Sequence, residues 1–176
     1  MDIETKMQNP SQEEINQLRN LLIDKQFLTV EKKSKTLVKQ YPKSFIVWNI
    51  IGVTAYEIGK LEEAIKAYKK SISINPHYAF AYNNLGLALK DKESRDFVIE
   101  LFKKAILLQP DYVDAYNNMA VALSEQGKFD EAIAVCKKAI SLQPDFAEAF
   151  NNMGAIYREQ GNLNDALLAI KKAKLL

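Results

Sequence analysis

The sequence predicts an all-α fold, a right-handed superhelical solenoid of about five antiparallel helix pairs, and three observations predict it. A shift of 34 residues lays Pro42, Pro76, Pro110 and Pro144 on one another, and with them Tyr82-Asn83-Asn84, Tyr116-Asn117-Asn118 and Phe150-Asn151-Asn152. All six glycines fall at two places of that period: Gly52, Gly86 and Gly154 at the eighth, Gly59, Gly127 and Gly161 at the fifteenth, counting from Phe45, Ala79, Val113 and Ala147. Between these markers the residues follow a helical rhythm, about fourteen on either side of a short turn. A fixed period of this length means stacked two-helix units that share one continuous core.

Residues 1–10 show no helical periodicity and read as a flexible lead-in. Ser11 and Glu14 then form an S-x-x-E capping box, which satisfies two free N–H groups at a helix start. Ile15, Leu18, Leu21 and Leu22 lie on one face of that helix. A second helix, about Leu28 to Gln40, runs to Tyr41-Pro42, where the proline disfavours a helical residue before it. Residues 11–44 are thus a degenerate helix pair, followed by clearer repeats over 45–78, 79–112, 113–146 and 147–176. The fifteenth-place glycines sit where the first helix of each pair must stop, and glycine accepts the left-handed conformation found there. A glycine at the eighth place costs a helix about 1 kcal/mol relative to alanine, which a closely approaching neighbour justifies. Small residues at the twentieth place, Ala64, Ala132 and Ala166, are expected to face it, with larger ones at the fourth and twenty-fourth filling the space beside. The 79–112 repeat departs from this, with Glu93 for the turn glycine and Val98 for the small residue, which predicts helices further apart. The last repeat stops two residues short of its expected proline and carries Lys174 where the others have Ile72, Ile106 and Ile140, so it reads as truncated or capping.

These residues resemble the tetratricopeptide repeat, whose 34-residue helix-turn-helix unit follows a W…L-G…Y…A…F…A…P pattern. Trp48, Ile51, Gly52, Ala64, Tyr68 and Pro76 match in one unit, and Tyr82, Leu85, Gly86, Leu89, Phe102, Ala105 and Pro110 in the next. Tyr116, Met119, Leu123, Ala132, Ala139 and Pro144 follow, then Met153, Gly154, Tyr157, Ala166 and Ala173. The resemblance implies a non-catalytic module for protein–protein interaction.

On the first helix of each pair, places 4, 7, 8 and 11 form the packing face and leave places 2, 5, 6, 9, 12 and 13 on the opposite side. In stacked helix pairs that side lines the concave wall. It carries Asn49, Asn83, Asn117 and Asn151, beside them Asn84, Asn118 and Asn152, an apolar strip that includes Leu87 and Val121, and the cations Lys90 and Arg158. Each carboxamide offers two N–H donors and an acceptor, so the column suits the main chain of an extended peptide. A plainer account is that the asparagines are polar filler on a solvated face. The column is similar to that in the repeat region of O-linked N-acetylglucosamine transferases, and that resemblance implies substrate-backbone contacts by Asn84, Asn118 and Asn152. Place 2 reads Ile46, Phe80, Asp114, Glu148 and offers no cation for an acidic terminus, while Glu57, Asp91, Glu125 and Glu159 form an acidic row. The expected partner is therefore a neutral or basic peptide.

Other functions are disfavoured. Twenty-four Lys and Arg against twenty-two Asp and Glu leave the chain nearly neutral, with no cationic cluster to suit nucleic acid. The twin lysines Lys69-Lys70, Lys103-Lys104, Lys137-Lys138 and Lys171-Lys172 read as a solvated outer face, with Glu100 and Lys104 paired at i, i+4. His77 belongs to a surface turn and Cys136 to a packing position, so they make no catalytic dyad. No metal-ligand spacing, phosphate-cradling loop or cofactor motif appears. The lone cysteine and the lack of a signal or membrane-spanning run make the cytoplasm the expected location. Two alternatives of other classes are the substrate-recruiting region of a larger glycosyl- or sulfotransferase, and a scaffold that self-assembles through its terminal repeats, with Leu163, Leu167 and Ile170 exposed on the last helix.

Overall fold

The computed structural model describes residues 9–176, so the lead-in expected over 1–10 lies, except for Asn9 and Pro10, outside the described residues. Among the described residues it is all-α, with ten helices that form two compact units, one ending at Leu89 and one running from Lys90 to Leu176.

The first unit holds α1 (Gln12–Ile23), α2 (Phe27–Gln40), α3 (Phe45–Glu57), α4 (Leu61–Ile74) and α5 (Ala79–Leu89). The capping box is present: the Glu14 N–H donates to Ser11 Oγ at 3.2 Å, and the Ser11 N–H donates to Glu14 Oε2 at 2.9 Å. Its core gathers Ile15, Leu18, Val30, Leu37, Val47 and Ile50 from the first three helices. Glycine at the eighth place does what the sequence suggests, with a different principal neighbour. A Cβ on Gly52 would stand 2.4 Å from Tyr68 Cε1, so the twenty-fourth-place ring, more than the twentieth-place alanine, occupies the space.

The α3–α4 turn closes with Gly59 at φ +77°, its N–H donating to the Tyr56 carbonyl and the Lys60 N–H to the Ala55 carbonyl, which is the Schellman arrangement. The α1–α2 turn closes the same way with no glycine: Lys25 stands one period before Gly59 and takes φ +54°. That pair also has Leu18 and Val30 where the next one has Gly52 and Ala64. Large against large keeps backbones apart, and α1 packs on α2 far less extensively than α3 packs on α4.

The second unit opens on the turn 90–94 and holds α6 (Arg95–Leu108), α7 (Val113–Glu125), α8 (Phe129–Leu142), α9 (Ala147–Glu159) and α10 (Leu163–Ala173). With Glu93 at the fifteenth place, no residue suited to the left-handed conformation is available. The first helix of that repeat ends at Leu89, and Ser94 starts the next helix by accepting from the Phe97 N–H at 3.4 Å. The later turns return to glycine, Gly127 at φ +74° and Gly161 at φ +79°. A Cβ on Gly154 would meet Ile170 Cγ1 at 2.8 Å and the Ala166 carbonyl at 3.2 Å, so here the twentieth place does approach as expected.

Candidate functional site: the asparagine-bearing helix faces

In each unit the first helices of successive pairs lie side by side, α3 with α5 and α7 with α9. The asparagines between them are joined. Asn84 Nδ2 donates to Asn49 Oδ1 at 3.1 Å, and Asn152 Nδ2 donates to Asn117 Oδ1 at 2.7 Å. Each bond runs from the sixth place of one repeat to the fifth place of the preceding repeat, a rung spanning 35 residues in sequence. Asn83 adds a longer contact to Asn84 Oδ1 at 3.4 Å.

This pairing changes the expected column. Asn49 and Asn83 are buried, at 7% and 3% exposure, and the Asn49 carboxamide is engaged by the rung from Asn84. Asn84, Asn117, Asn118 and Asn152 are half-buried, and Asn151 is exposed. Of the apolar strip, Leu87 is half-buried and Val121 is 39% exposed. Lys90 does not stand on a helix face: with α5 ending at Leu89 it lies in the following turn. Arg158 is exposed near the end of α9.

The two units differ in charge on these faces. The first presents Ile46 and Phe80 at the second place, and Phe80 stacks against Tyr78 at 5.4 Å, itself edge-on to Phe45 at 4.8 Å. The second presents Asp114 and Glu148 there, both exposed. Partial burial of its carboxyl group, and then the Glu148 charge, push the Asp114 pKa up. At the far end of the same face Glu125 accepts from Arg95 at 3.1 Å, and Glu159 accepts from Ser124 Oγ at 3.3 Å. The acidic row is thus partly spent on ties between repeats. A parallel set runs beside it, Gln126 Nε2 to Asp96 at 2.8 Å and Gln160 Nε2 to Asp130 at 3.0 Å.

Sequence reasoning missed these rungs, although the signal was present in residue types that pair at a constant offset. The lysine pairs on the second helices are exposed, but Glu100 bonds Lys103 at 2.7 Å, not Lys104, since i+3 is as close a neighbour as i+4. Cys136 is fully buried and its thiol is pushed up to about 12 by desolvation, while His77 is exposed in a turn. Among the described residues no group of three or more His, Cys, Asp or Glu is placed to hold a metal ion, and no helix is long and apolar enough to cross a membrane.

Antiparallel helix pairs, tied side to side by repeated polar rungs and closed by glycine turns, define an α-helical repeat protein of the solenoid class. Three family models, described as TPR repeat or tetratricopeptide repeat, match residues 52–92, 113–146 and 135–168. The chain belongs to the tetratricopeptide repeat family and is a protein-interaction module. It is similar over 51 residues, at 33% identity, to "Essential for maintenance of the cell wall protein 1" of Saccharomyces cerevisiae, a match that covers 29% of this chain and 6% of that protein. The chain spans only 4% to 6% of the length of the curated relatives it matches. Among solved structures it is similar to MamA, with 28% identity, 89% of this chain and 91% of that chain covered, and a TM-score of 0.73. It is also similar in fold to PilW, a type IV pilus biogenesis factor, with 23% identity, 94% and 78% covered, and a TM-score of 0.84.

Proposed function

We propose that the shared face of α7 and α9 binds an extended segment of a partner protein, neutral or basic in charge. The observation that carries this is the arrangement on one side of the second unit: the carboxylates Asp114 and Glu148 close enough to oppose each other's charge at one end, half-exposed carboxamides in the middle, and Val121 exposed beside them. A lysine or arginine from the partner relieves the carboxylate repulsion. The asparagine rung leaves Asn117 with both amide protons and Asn152 with its oxygen and second proton, enough to meet a peptide N–H and carbonyl. Asn151, exposed on the same face, adds a further carboxamide.

The test is a titration of labelled peptides of equal length, Lys-rich, neutral and Glu-rich, against the full chain and its Asp114→Asn/Glu148→Gln variant. The expected result is preference for the Lys-rich and neutral peptides, with the Lys-rich affinity reduced about tenfold in the variant, equivalent to about 1.4 kcal/mol. Equal or better binding of the Glu-rich peptide would remove the proposal.

A further inference from the structure

We infer that the groove between α1 and α2 is a second binding site, independent of the α7–α9 face, which takes an acidic amphipathic helix from a partner protein. The groove, of about 760 Å³, exists because Leu18 and Val30 hold the first hairpin open where later hairpins close on glycine and alanine. Its floor is Leu18 and Leu37, both buried, and its wall is Leu28, which is 77% exposed. Along α2 the lining residues Leu28, Lys32, Lys33, Thr36, Leu37 and Gln40 repeat at helical spacing. They offer a continuous ridge of about three turns, roughly 18 Å at 1.5 Å per residue. An apolar trough of Leu18, Leu28 and Leu37 beside a polar ridge of that length fits an amphipathic helix that reads as i, i+3, i+4, i+7 anchors.

Charge selects the helix. The groove's one carboxylate, Glu14, is already engaged by the Ser11 N–H and hydroxyl in the capping box. Its cations are unspent: Lys35 and Lys60 pair with Glu31, but Lys32 and Lys33 make no ion pair among the described residues. The rim is therefore cationic, and leucine anchors flanked by glutamates complement it. The last helix of a second copy of this chain does not, because α10 ends in Lys171 and Lys172.

The probe is a labelled fifteen-residue peptide with leucines at the anchor positions and glutamates elsewhere, titrated by fluorescence anisotropy into the full chain, with a lysine-for-glutamate counterpart as control. Binding of the acidic helix is expected, weakened at least tenfold by Lys32→Glu/Lys33→Glu and by Leu28→Glu, and unchanged by Asp114→Asn/Glu148→Gln, which keeps this site distinct from the α7–α9 face. All five residues are exposed, so circular dichroism should report folded variants. Equal binding of both peptides, indifference to the lysine reversal, or binding to phosphatidylserine vesicles with none to the peptide each overturns the inference. So does self-association that Leu28→Glu abolishes.

Discussion

The Tyr116 hydroxyl donates a hydrogen bond to the Pro110 carbonyl at 3.2 Å, tying the first helix of a repeat back to the proline that precedes it. Tyr82 does the same to Pro76 at 3.1 Å, and the Trp48 indole N–H to Pro42 at 2.9 Å. The fourth member of the series, Phe150, has the ring but no donor for Pro144. A net hydrogen bond is worth about 0.5–1.5 kcal/mol. Phe150→Tyr is expected to stabilise the second unit by that amount and Tyr116→Phe to destabilise it equally, both read by urea denaturation. A destabilised Phe150→Tyr would show that Pro144 is out of reach.

Where Gly52 meets the Tyr68 ring, the next unit has Ala120 and Cys136 at the matching places. Gly52→Ala must displace that ring and is expected to cost about 1–3 kcal/mol, as overpacking does. Combined with Tyr68→Cys, which copies the other pairing, its penalty should fall, giving a coupling of about 0.5–3 kcal/mol in a double-mutant cycle. Additive effects would mean that the two sites do not compete for the same space.

Lys25 holds the left-handed conformation that costs an L-residue roughly 1–2 kcal/mol, while the turns after α3, α7 and α9 use glycine there. Lys25→Gly is expected to stabilise the first unit by about 0.5–1 kcal/mol after the extra chain entropy of glycine is subtracted. Gly127→Ala should do the opposite, through strain alone, since a Cβ there meets nothing within 4 Å. Thermal melts of both variants check the pair of signs.

Glu31 binds Lys35 at 2.8 Å and Lys60 at 2.7 Å, joining α2 to the turn before α4. Hydrogen bonds from these two lysines hold its carboxyl at about 2, well below the ordinary 4.5. The unfolded chain takes up this proton first as pH falls, so the stability the site supplies is intact above about 4.5 and is lost on the way down to about 2. Glu31→Gln should therefore give a flatter fall of melting temperature with pH across that window, and at pH 7 it should lower stability by the same amount that the flattening removes, an amount kept small by solvent screening of these exposed partners.

Most of the fold was legible because its markers are local. The period, the prolines, the Ser11–Glu14 capping box and the turn glycines act within a few residues of themselves, and the helices begin and end where those residues dictate. The early end of α5 was not read, because Glu93 says only that a glycine is missing and not what the chain does instead. The site was less legible. Helical spacing placed the asparagines on one face, but whether a carboxamide there is free or bonded depends on the register between neighbouring repeats. That register is a tertiary quantity, and it engages Asn49 and Asn117 as acceptors in the contact. The α1–α2 groove escaped for a similar reason, since large residues at the eighth and twentieth places read as ordinary core until the later pairs show how closely such helices can approach.

Cys136 is the only cysteine of the chain, fully enclosed in the second unit, with a thiol held up at about 12 against its ordinary 9. A thiol reagent near neutral pH can reach it only when α8 comes away from its neighbours, so the rate of modification becomes a clock for that opening event. Read in increasing denaturant, the clock would time the opening of one unit with no label added to the other. The same displacement makes the fold lose stability as pH rises from about 9 toward 12, because the unfolded thiol ionises across that range while the enclosed one does not.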